Sequence, residues 1–293
     1  MENFLCKTIP SQHDDRDWNA GNIYKNTILE PVLDLRDSLE PIRNQGTQGT
    51  CAAQTAACMK EWQETNDYNF KGYMSPQFIY NNRENQTTEG MFGRDVMRIL
   101  SKIGSVEEDT YEYGKIEPIE NIDEIYYSKA KVHKIKNYAR VYDIENLKKA
   151  LKLNGPCYIA FPVYNANSMR MWFKESESSE MQGGHAMTVV GYNEEGFIIR
   201  NTWGIHWGDK GYCIYSYSDW GSHWEIWTTI DEKSYIEDID IEEKENSYDT
   251  DSKDSKDSIY NADSDSEDET DDGLLIDKKE SMCEKLYKLL KQR

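Results

Sequence analysis

The chain has 293 residues, of which 38% are hydrophobic and 12% aromatic, and a formal net charge of −20. A chain of this length and composition can bury sizeable cores, so we expect one or two folded domains. The negative charge argues against nucleic acid and anionic membrane surfaces as main partners, since both repel a polyanion. Much of the charge lies in residues 231–293, which contain 22 acidic and 10 basic residues.

The first residues lack the features of a secretory signal. Glu2, His13, Asp14 and Asp15 interrupt the apolar stretch that such a signal needs, and the sequence has no run of 18 apolar residues for a membrane span. We therefore expect a cytoplasmic protein, or one that is packaged in a virion if the source is a large virus. Residues 1–30 are polar and show no clear periodicity, and we interpret them as an N-terminal extension.

Helical patterns dominate the first half of the chain. A glycine-rich turn precedes a run of small residues at 51–62 that predicts a helix, with Thr50 as its cap and Cys51 in its first turn. Three further helices are predicted, one beginning at Pro76 and the others covering about 94–102 and 145–151.

The second half has the composition of a sheet. β-Branched and aromatic residues form short runs separated by glycines, which is typical of strands. The four predicted strands cover residues 158–161, 186–192, 197–200 and 211–217. We therefore expect an α+β protein in which helices come first and strands follow.

The composition changes again at Asp231. Residues 231–279 consist mainly of Asp, Glu, Ser and Lys, and such a segment cannot offset its ordering entropy by burial. We interpret it as a disordered acidic tail whose partner is unknown. Residues 280–293 place Met282 and three leucines on one helical face, which fits a short amphipathic helix or a frayed terminus.

Cys51 is the strongest candidate for a nucleophile among six scattered cysteines. None of the six lies in a CxxC pair or at a spacing from histidine that suggests zinc, so we predict a reactive thiol and no metal site. A helix N-terminus and a nearby imidazolium lower the pKa of a thiol, and Cys51 has the helix start. Of the five histidines, only His185 follows two glycines and precedes an apolar strand, and Gly184 would let a substrate backbone approach.

Asn201 follows His185 by 16 positions, at the end of the predicted strand 197–200. Two adjacent strands joined by a turn would bring the two side chains together. Asn201 could then accept a hydrogen bond from the imidazole and fix its tautomer, and Trp203 could shield that bond from water.

These residues lie in three blocks that resemble the papain and cathepsin family of cysteine peptidases. The blocks are residues 44–51, the Gly-His-Ala strand at His185, and residues 201–204 with the glycines and aromatics that follow. They occur in the family's order, and His185 lies 134 residues after Cys51, within the family's spacing. The resemblance covers about residues 31–230, which we interpret as the peptidase domain.

The resemblance implies a papain-like, two-subdomain α+β fold, with a helical left subdomain, a β-rich, barrel-like right subdomain and the active cleft between them. It implies a cysteine endopeptidase that acts on peptide or protein substrates and needs no cofactor. In such an enzyme Cys51 attacks a peptide carbonyl and His185 moves the proton. Asn201 orients the histidine, and Gln45 helps to bind the oxyanion.

Substrate contacts also follow from the resemblance. Relatives pair an extended peptide with a glycine at the position of Gly90. Met91, Phe92, Phe161 and Ala186 are then expected to line an apolar pocket for the residue two positions before the cut.

Regulation is where the chain departs from the family. Gln48 stands where the family has a cysteine that forms a disulfide, and no helical propeptide of the usual length precedes Pro31. We predict that residues 1–30 instead form a short inhibitory segment in the cleft. Two alternatives to a peptidase are a catalytically silent homologue that binds peptides and an acyltransferase with the same triad.

Overall fold

In the described chain the five α-helices lie before Gly155, and five of the seven strands lie after it. The computed structural model describes residues 5–24, 27–165 and 168–231, so the predicted acidic tail beyond Asp231 and the predicted helix at 280–293 lie outside the described residues. The helices are α1 (Cys51–Tyr68), α2 (Pro76–Asn81), α3 (Gly93–Lys102), α4 (Glu124–Ala130) and α5 (Ile144–Asn154). The predicted α+β class is confirmed.

The long helix α1 starts at Cys51, as the sequence predicts. Thr50 occupies the N-cap position, but its hydroxyl makes no cap hydrogen bond and instead pairs with the Tyr113 hydroxyl at 2.7 Å. The alanines of the first turns are fully buried, and their small side chains let the helix lie close to its neighbours. The helix ends at Asn69, whose left-handed conformation (φ 56°) closes the last turn.

The shorter helices follow local capping rules. The Ser75 hydroxyl accepts a hydrogen bond from the Phe78 N–H at 3.0 Å, so Pro76 can occupy the first helical turn of α2. Helix α4 was not predicted, because its seven residues carry only one buried side chain, Ala130, and so show no periodic apolar face. The Asp123 carboxylate caps it through the Ile125 N–H at 2.9 Å.

One antiparallel sheet joins the strands of the described residues, in the order β2-β7-β3-β4-β5-β6, with β1 paired to β4. The strands are β1 (Leu33–Asp34), β2 (Asn137–Arg140), β3 (Cys157–Val163), β4 (Gly183–Tyr192), β5 (Gly196–Arg200), β6 (Tyr212–Ser216) and β7 (Glu225–Ile230). The four predicted strands correspond to β3, β4, β5 and β6.

The central strands are buried on both faces. On one face, Ala160 and Ala186 pack with the buried side of α1. On the other face, Ile159 and Phe161 belong to a second core with Met187. Side chains alternate between the faces of a strand, so the sheet divides the helical part from the β-rich core.

Residues 18–24 belong to this β-rich core. Ala20 and Tyr24 are buried in it, and Trp18 and Ile23 pack against it. The N-terminal region is therefore not a uniformly polar extension. The sequence did not reveal this packing, because four apolar residues around a single short 3-10 helix, Ala20–Asn22, show no helical or strand periodicity.

Candidate active site

Cys51 lies in the first turn of α1, where that helix packs against the start of β4. The thiol is fully buried, and the backbone N–H of Ala186 in β4 donates a hydrogen bond to it. The sheet and the helix thus hold the sulfur within the core on the α1 face of the sheet.

His185 and Asn201 form a hydrogen-bonded pair on adjacent strands. Thr188 pairs with Arg200 across β4 and β5. Continuing this antiparallel register by one residue places Asn201 opposite Met187, two positions along β4 from His185 and so diagonal to it on the same face. His185 Nε2 lies 2.7 Å from Asn201 Oδ1. The Thr202 N–H also donates to Oδ1, at 2.7 Å, so an acceptor faces the imidazole and Nε2 is the donor. The other ring nitrogen, Nδ1, is then the one that can exchange a proton with the Cys51 thiol.

Trp203 covers the histidine. Its ring centroid lies 4.4 Å from that of His185, and both side chains are buried. This places the indole against the imidazole of His185, which is the position that the predicted shielding role of Trp203 requires. A second indole, Trp207, packs edge-on against Trp203 at 6.0 Å.

Gln45 is held in place by the segment that follows Asn201. Its backbone N–H donates to the Thr202 carbonyl at 2.8 Å, and its Oε1 accepts from the Thr202 hydroxyl at 2.6 Å. Since Oε1 is occupied in this way, Nε2 is aimed at carbonyl oxygens, those of Gln48 at 2.9 Å and Leu5 at 3.3 Å. An amide N–H fixed in this direction can bind a developing oxyanion.

The surroundings of Cys51 favour its thiolate. Burial raises the pKa of Cys51, but the charge and hydrogen bond of His185, together with the Thr8 hydroxyl, lower it to about 7. By contrast, burial raises the pKa of Cys6, Cys157 and Cys213 to about 12. Among the cysteines that the structure describes, a lowered pKa is thus confined to Cys51.

Residues 5–12, which we call the cleft segment, pass over this site. The Thr8 hydroxyl lies 3.0 Å from Cys51 Sγ, and the Thr8 N–H donates to the Gly184 carbonyl at 2.8 Å. The Ile9 N–H donates to the Met91 carbonyl at 3.1 Å. The nucleophile therefore faces a hydroxyl group of the cleft segment.

Glycines line the path of the cleft segment. A Cβ at Gly90 would lie 1.6 Å from the Lys7 carbonyl oxygen, and one at Gly184 would lie 2.2 Å from the Thr8 carbonyl oxygen. Gly90 also has φ +86°, a conformation that disfavours other residues. Both glycines were predicted to approach a peptide backbone, and here that backbone is the chain's own.

The predicted pocket residues do not all lie together. Met91 and Ala186 are buried in the same cluster as Ala160, and Phe92 forms a backbone bridge with Ile9. Phe161 lies on the other face of the sheet, where it packs edge-on against Tyr215 at 5.0 Å. Because side chains alternate along β3, its neighbour Ala160 faces the cleft side in its place.

Several residues at the site could not be identified from the sequence. Thr8 and Thr202 are hydroxyl residues in irregular segments, and no spacing signals their contacts with Cys51 and Gln45. The buried carboxylate of Glu225 accepts from the Ser11 N–H and hydroxyl, both at 3.2 Å. It also pairs with Arg140, from a strand that the sequence analysis missed.

Metal clusters and membrane-crossing helices are two further features that bear on function. Within residues 5–24, 27–165 and 168–231, no group of three or more His, Cys, Asp or Glu side chains is arranged to hold a metal ion. No helix in the same ranges has both the length and the apolarity that a bilayer crossing requires.

Several known proteins resemble this chain in sequence. Residues 29–229 match the family described as papain family cysteine protease. An uncharacterized peptidase C1-like protein of Acanthamoeba polyphaga mimivirus is 32% identical over 222 residues, which are 64% of this chain and 70% of that protein. Cathepsin K of Mus musculus is 28% identical over 187 residues, which are 59% of this chain and 55% of that protein.

Solved structures agree with this match. Xylellain, a cysteine protease from Xylella fastidiosa, superposes with a TM-score of 0.66 at 26% identity, over 78% of this chain and 99% of that one. Digestive procathepsin L 3 of Tenebrio molitor shares the fold, with a TM-score of 0.57 at 18% identity, over 70% of this chain and 71% of that one.

Proposed function

The chain belongs to the papain family of cysteine proteases, and from this premise we propose that it is an endopeptidase whose triad is Cys51, His185 and Asn201. The observation that carries the proposal is the lowered pKa of the Cys51 thiol beside the pair of His185 and Asn201. A thiolate at neutral pH with a positioned imidazole is what nucleophilic attack on a peptide carbonyl requires.

The proposed reaction is acyl transfer. The Cys51 thiolate attacks the carbonyl carbon of the scissile bond, and Gln45 Nε2 and the Cys51 backbone N–H stabilise the oxyanion. The His185 imidazolium gives its proton to the leaving amine as the C–N bond breaks, which leaves a thioester. Water then loses a proton to His185 and attacks the thioester, which releases the carboxylic acid and restores the thiolate and imidazolium pair.

The contact of Gln45 with the cleft segment supports its part in this reaction. Gln45 Nε2 donates to a peptide carbonyl oxygen, that of Leu5, at 3.3 Å. A substrate carbonyl that replaced it would meet the same donor. The donor costs no reorganisation, because Thr202 holds the amide in position.

We also propose that the described form is an inactive zymogen, inhibited by its own N-terminal residues. Thr8 covers the thiol, and Lys7 approaches Gly90 where a substrate backbone is expected. The similarity to a procathepsin supports a segment of this kind. A tethered segment has a millimolar effective concentration at the site, so a few hydrogen bonds are enough to keep substrate out.

A cytoplasmic or virion location stays a prediction. A mimivirus encodes one of the relatives, which supports the viral source on which the virion prediction depends. Fractionation of the source, with an antibody against the chain, would test both.

The alternative of a silent peptide-binding homologue is favoured by one observation, the cover that Thr8 provides for the thiol. A peptide-like epoxide probe and a set of long peptides, applied to protein freed of its cleft segment, distinguish the functions. An endopeptidase is labelled at Cys51, loses labelling in Cys51→Ala and cuts internal peptide bonds. A binding protein leaves peptides intact, and an acyltransferase forms amide products when amine acceptors are added.

A further inference from the structure

The described N-terminal residues fall into three parts with different surroundings. The cleft segment, residues 5–12, covers the active site. Residues 13–16, which we call the link, follow it, and residues 17–24, which we call the anchor, pack on the enzyme body. The contacts of the three parts differ in kind and in strength.

The anchor is held by core packing and by charge. Asp17 accepts two hydrogen bonds from Arg94, at 2.9 and 2.5 Å, and the Trp18 carbonyl accepts from the Arg140 N–H at 2.7 Å. Ala20 is fully buried, and the Tyr24 ring is buried next to Thr228 of β7. Removing the anchor would expose apolar core, so it behaves as part of the enzyme body.

The cleft segment is held by hydrogen bonds to its backbone and to small side chains, by an ion pair between Lys7 and Glu89 at 3.4 Å, and by the small Cys6 side chain, which is buried in the β-rich core. Besides the contacts of Thr8 and Ile9, the Ser11 hydroxyl accepts from the Arg94 N–H at 2.9 Å. Its carboxyl end is held where the Gln12 carbonyl accepts from the Arg94 side chain at 2.6 Å. Each such bond contributes roughly 1 kcal/mol net, so the segment depends on its tether to stay bound.

The link is the exposed part. The side chains of His13, Asp15 and Arg16 are 77%, 96% and 90% exposed. The link has no regular secondary structure, and its side-chain hydrogen bonds join only residues within the link. Exposed polar segments of this kind are preferred sites of proteolysis.

We propose that the link is a proteolytic processing site and that the anchor stays in the active enzyme after the cut. This inference rests on the proposed peptidase function. Hydrolysis of one peptide bond in the link consumes one water molecule and leaves a carboxylate and an amine. The cut removes the tether of the cleft segment, which then leaves the site. The anchor stays bound through its hydrogen bonds with Arg94 and Arg140.

Limited trypsin digestion of the full-length chain tests the inference, because Arg16 is the last residue of the link. Intact mass and N-terminal sequencing locate the first cut. Alkylation of Cys51 by iodoacetamide reports whether the site is uncovered, and a fluorogenic peptide reports activity. The matched control is Arg16→Gln, which removes the trypsin site and breaks side-chain hydrogen bonds only with Asp14, inside the link.

Apart from cuts at the lysines of residues 232–293, we expect the first cut after Arg16, a rise of at least about tenfold in the alkylation rate of Cys51, and a melting temperature within about 3 °C of the uncut chain. Arg16→Gln should resist both the cut and the rise. A first cut after Lys25, unchanged alkylation after a cut at Arg16, or a large loss of stability would overturn the inference. Faster alkylation without peptide hydrolysis would support the inference and refute the proposed function.

Discussion

The reactivity of Cys51 comes from its neighbours and not from exposure. Cys51 and Cys157 are both fully buried, yet the pKa of Cys157 is raised to about 12 and that of Cys51 is lowered to about 7. The difference is the imidazole of His185, which supplies positive charge and a hydrogen bond. The contact with His185 is thus the main difference between a thiol that stays protonated at neutral pH and one whose thiolate is favoured there.

His185→Ala should reduce peptide hydrolysis by at least about 1,000-fold, because it removes the proton carrier and the charge that stabilises the thiolate. His206→Ala is the matched control, since that side chain is exposed and has no assigned role. We expect it to keep wild-type kcat/KM. Equal loss in the two variants would contradict the assignment of His185.

Gln45→Ala should lower kcat by roughly 10- to 1,000-fold with a smaller change in KM, because its N–H is needed most in the transition state. Gln48→Ala is the control: its backbone carbonyl, which Gln45 contacts, is retained. Steady-state kinetics on enzyme cut at the link separate the two constants. A change confined to KM would make Gln45 a binding residue.

The alkylation rate of Cys51 should depend on pH in a way that reports His185. The pKa of the Cys51 thiol is lowered to about 7 from 9.0, so the thiolate is present above pH 7 and is lost as the pH falls through that value. In enzyme cut at the link, loss of the Thr8 bond shifts the inflection slightly upward. His185→Ala should move it upward toward the ordinary value of 9.0, because the largest effect that lowers the pKa is then absent. An inflection that stayed near 7 in His185→Ala would exclude the proposed cause.

At the scale of elements, the sequence predicted those helices and strands whose residues carry a local signal. Ser75 and Pro76 mark the start of α2, and the β-branched runs mark β3 to β6. Strand β7 was missed because it runs directly into the acidic segment, with no glycine to mark its end. Strand β2 was missed because its four residues include only one fully buried side chain, Ala139.

Tyr24→Ala tests the anchor as a structural element. The buried ring fills space between α5 and β7, so its loss should lower the free energy of unfolding by about 3 kcal/mol. Tyr68→Ala, at a side chain that is 69% exposed, should change it by less than about 0.5 kcal/mol. Urea unfolding of the two variants measures both. Similar small effects would show that the anchor does not contribute to the core.

At the scale of the whole molecule, the proposed triad could be predicted from the sequence. The way in which the N-terminal residues cover it could be predicted only in part. Cys51, His185 and Asn201 lie in residue blocks whose order resembles a known family, so their proximity follows from the fold. An inhibitory role for residues 1–30 could be predicted, but their division into cleft segment, link and anchor could not. That division depends on contacts over long sequence separations, such as Ser11 with Glu225 and Asp17 with Arg94.

Deletion of residues 232–293 should leave hydrolysis of small peptides nearly unchanged, because none of the site residues lies beyond Ile230. Asp231 belongs with the enzyme body, since it accepts a hydrogen bond from the buried Lys60 Nζ at 2.7 Å. Asp231→Asn should therefore lower the free energy of unfolding by about 1 kcal/mol, whereas the deletion should not. Loss of folded enzyme on deletion from 232 would refute this boundary.

The most direct measurement of the central claim is the rate at which protein cut at the link hydrolyses an internally quenched peptide, compared between wild type, Cys51→Ala and Cys213→Ala. The account predicts hydrolysis of internal peptide bonds by wild type and Cys213→Ala, and a rate at background for Cys51→Ala whose melting temperature is unchanged. Wild-type turnover by Cys51→Ala, or no hydrolysis by wild-type protein whose Cys51 is fully accessible to iodoacetamide, would contradict it.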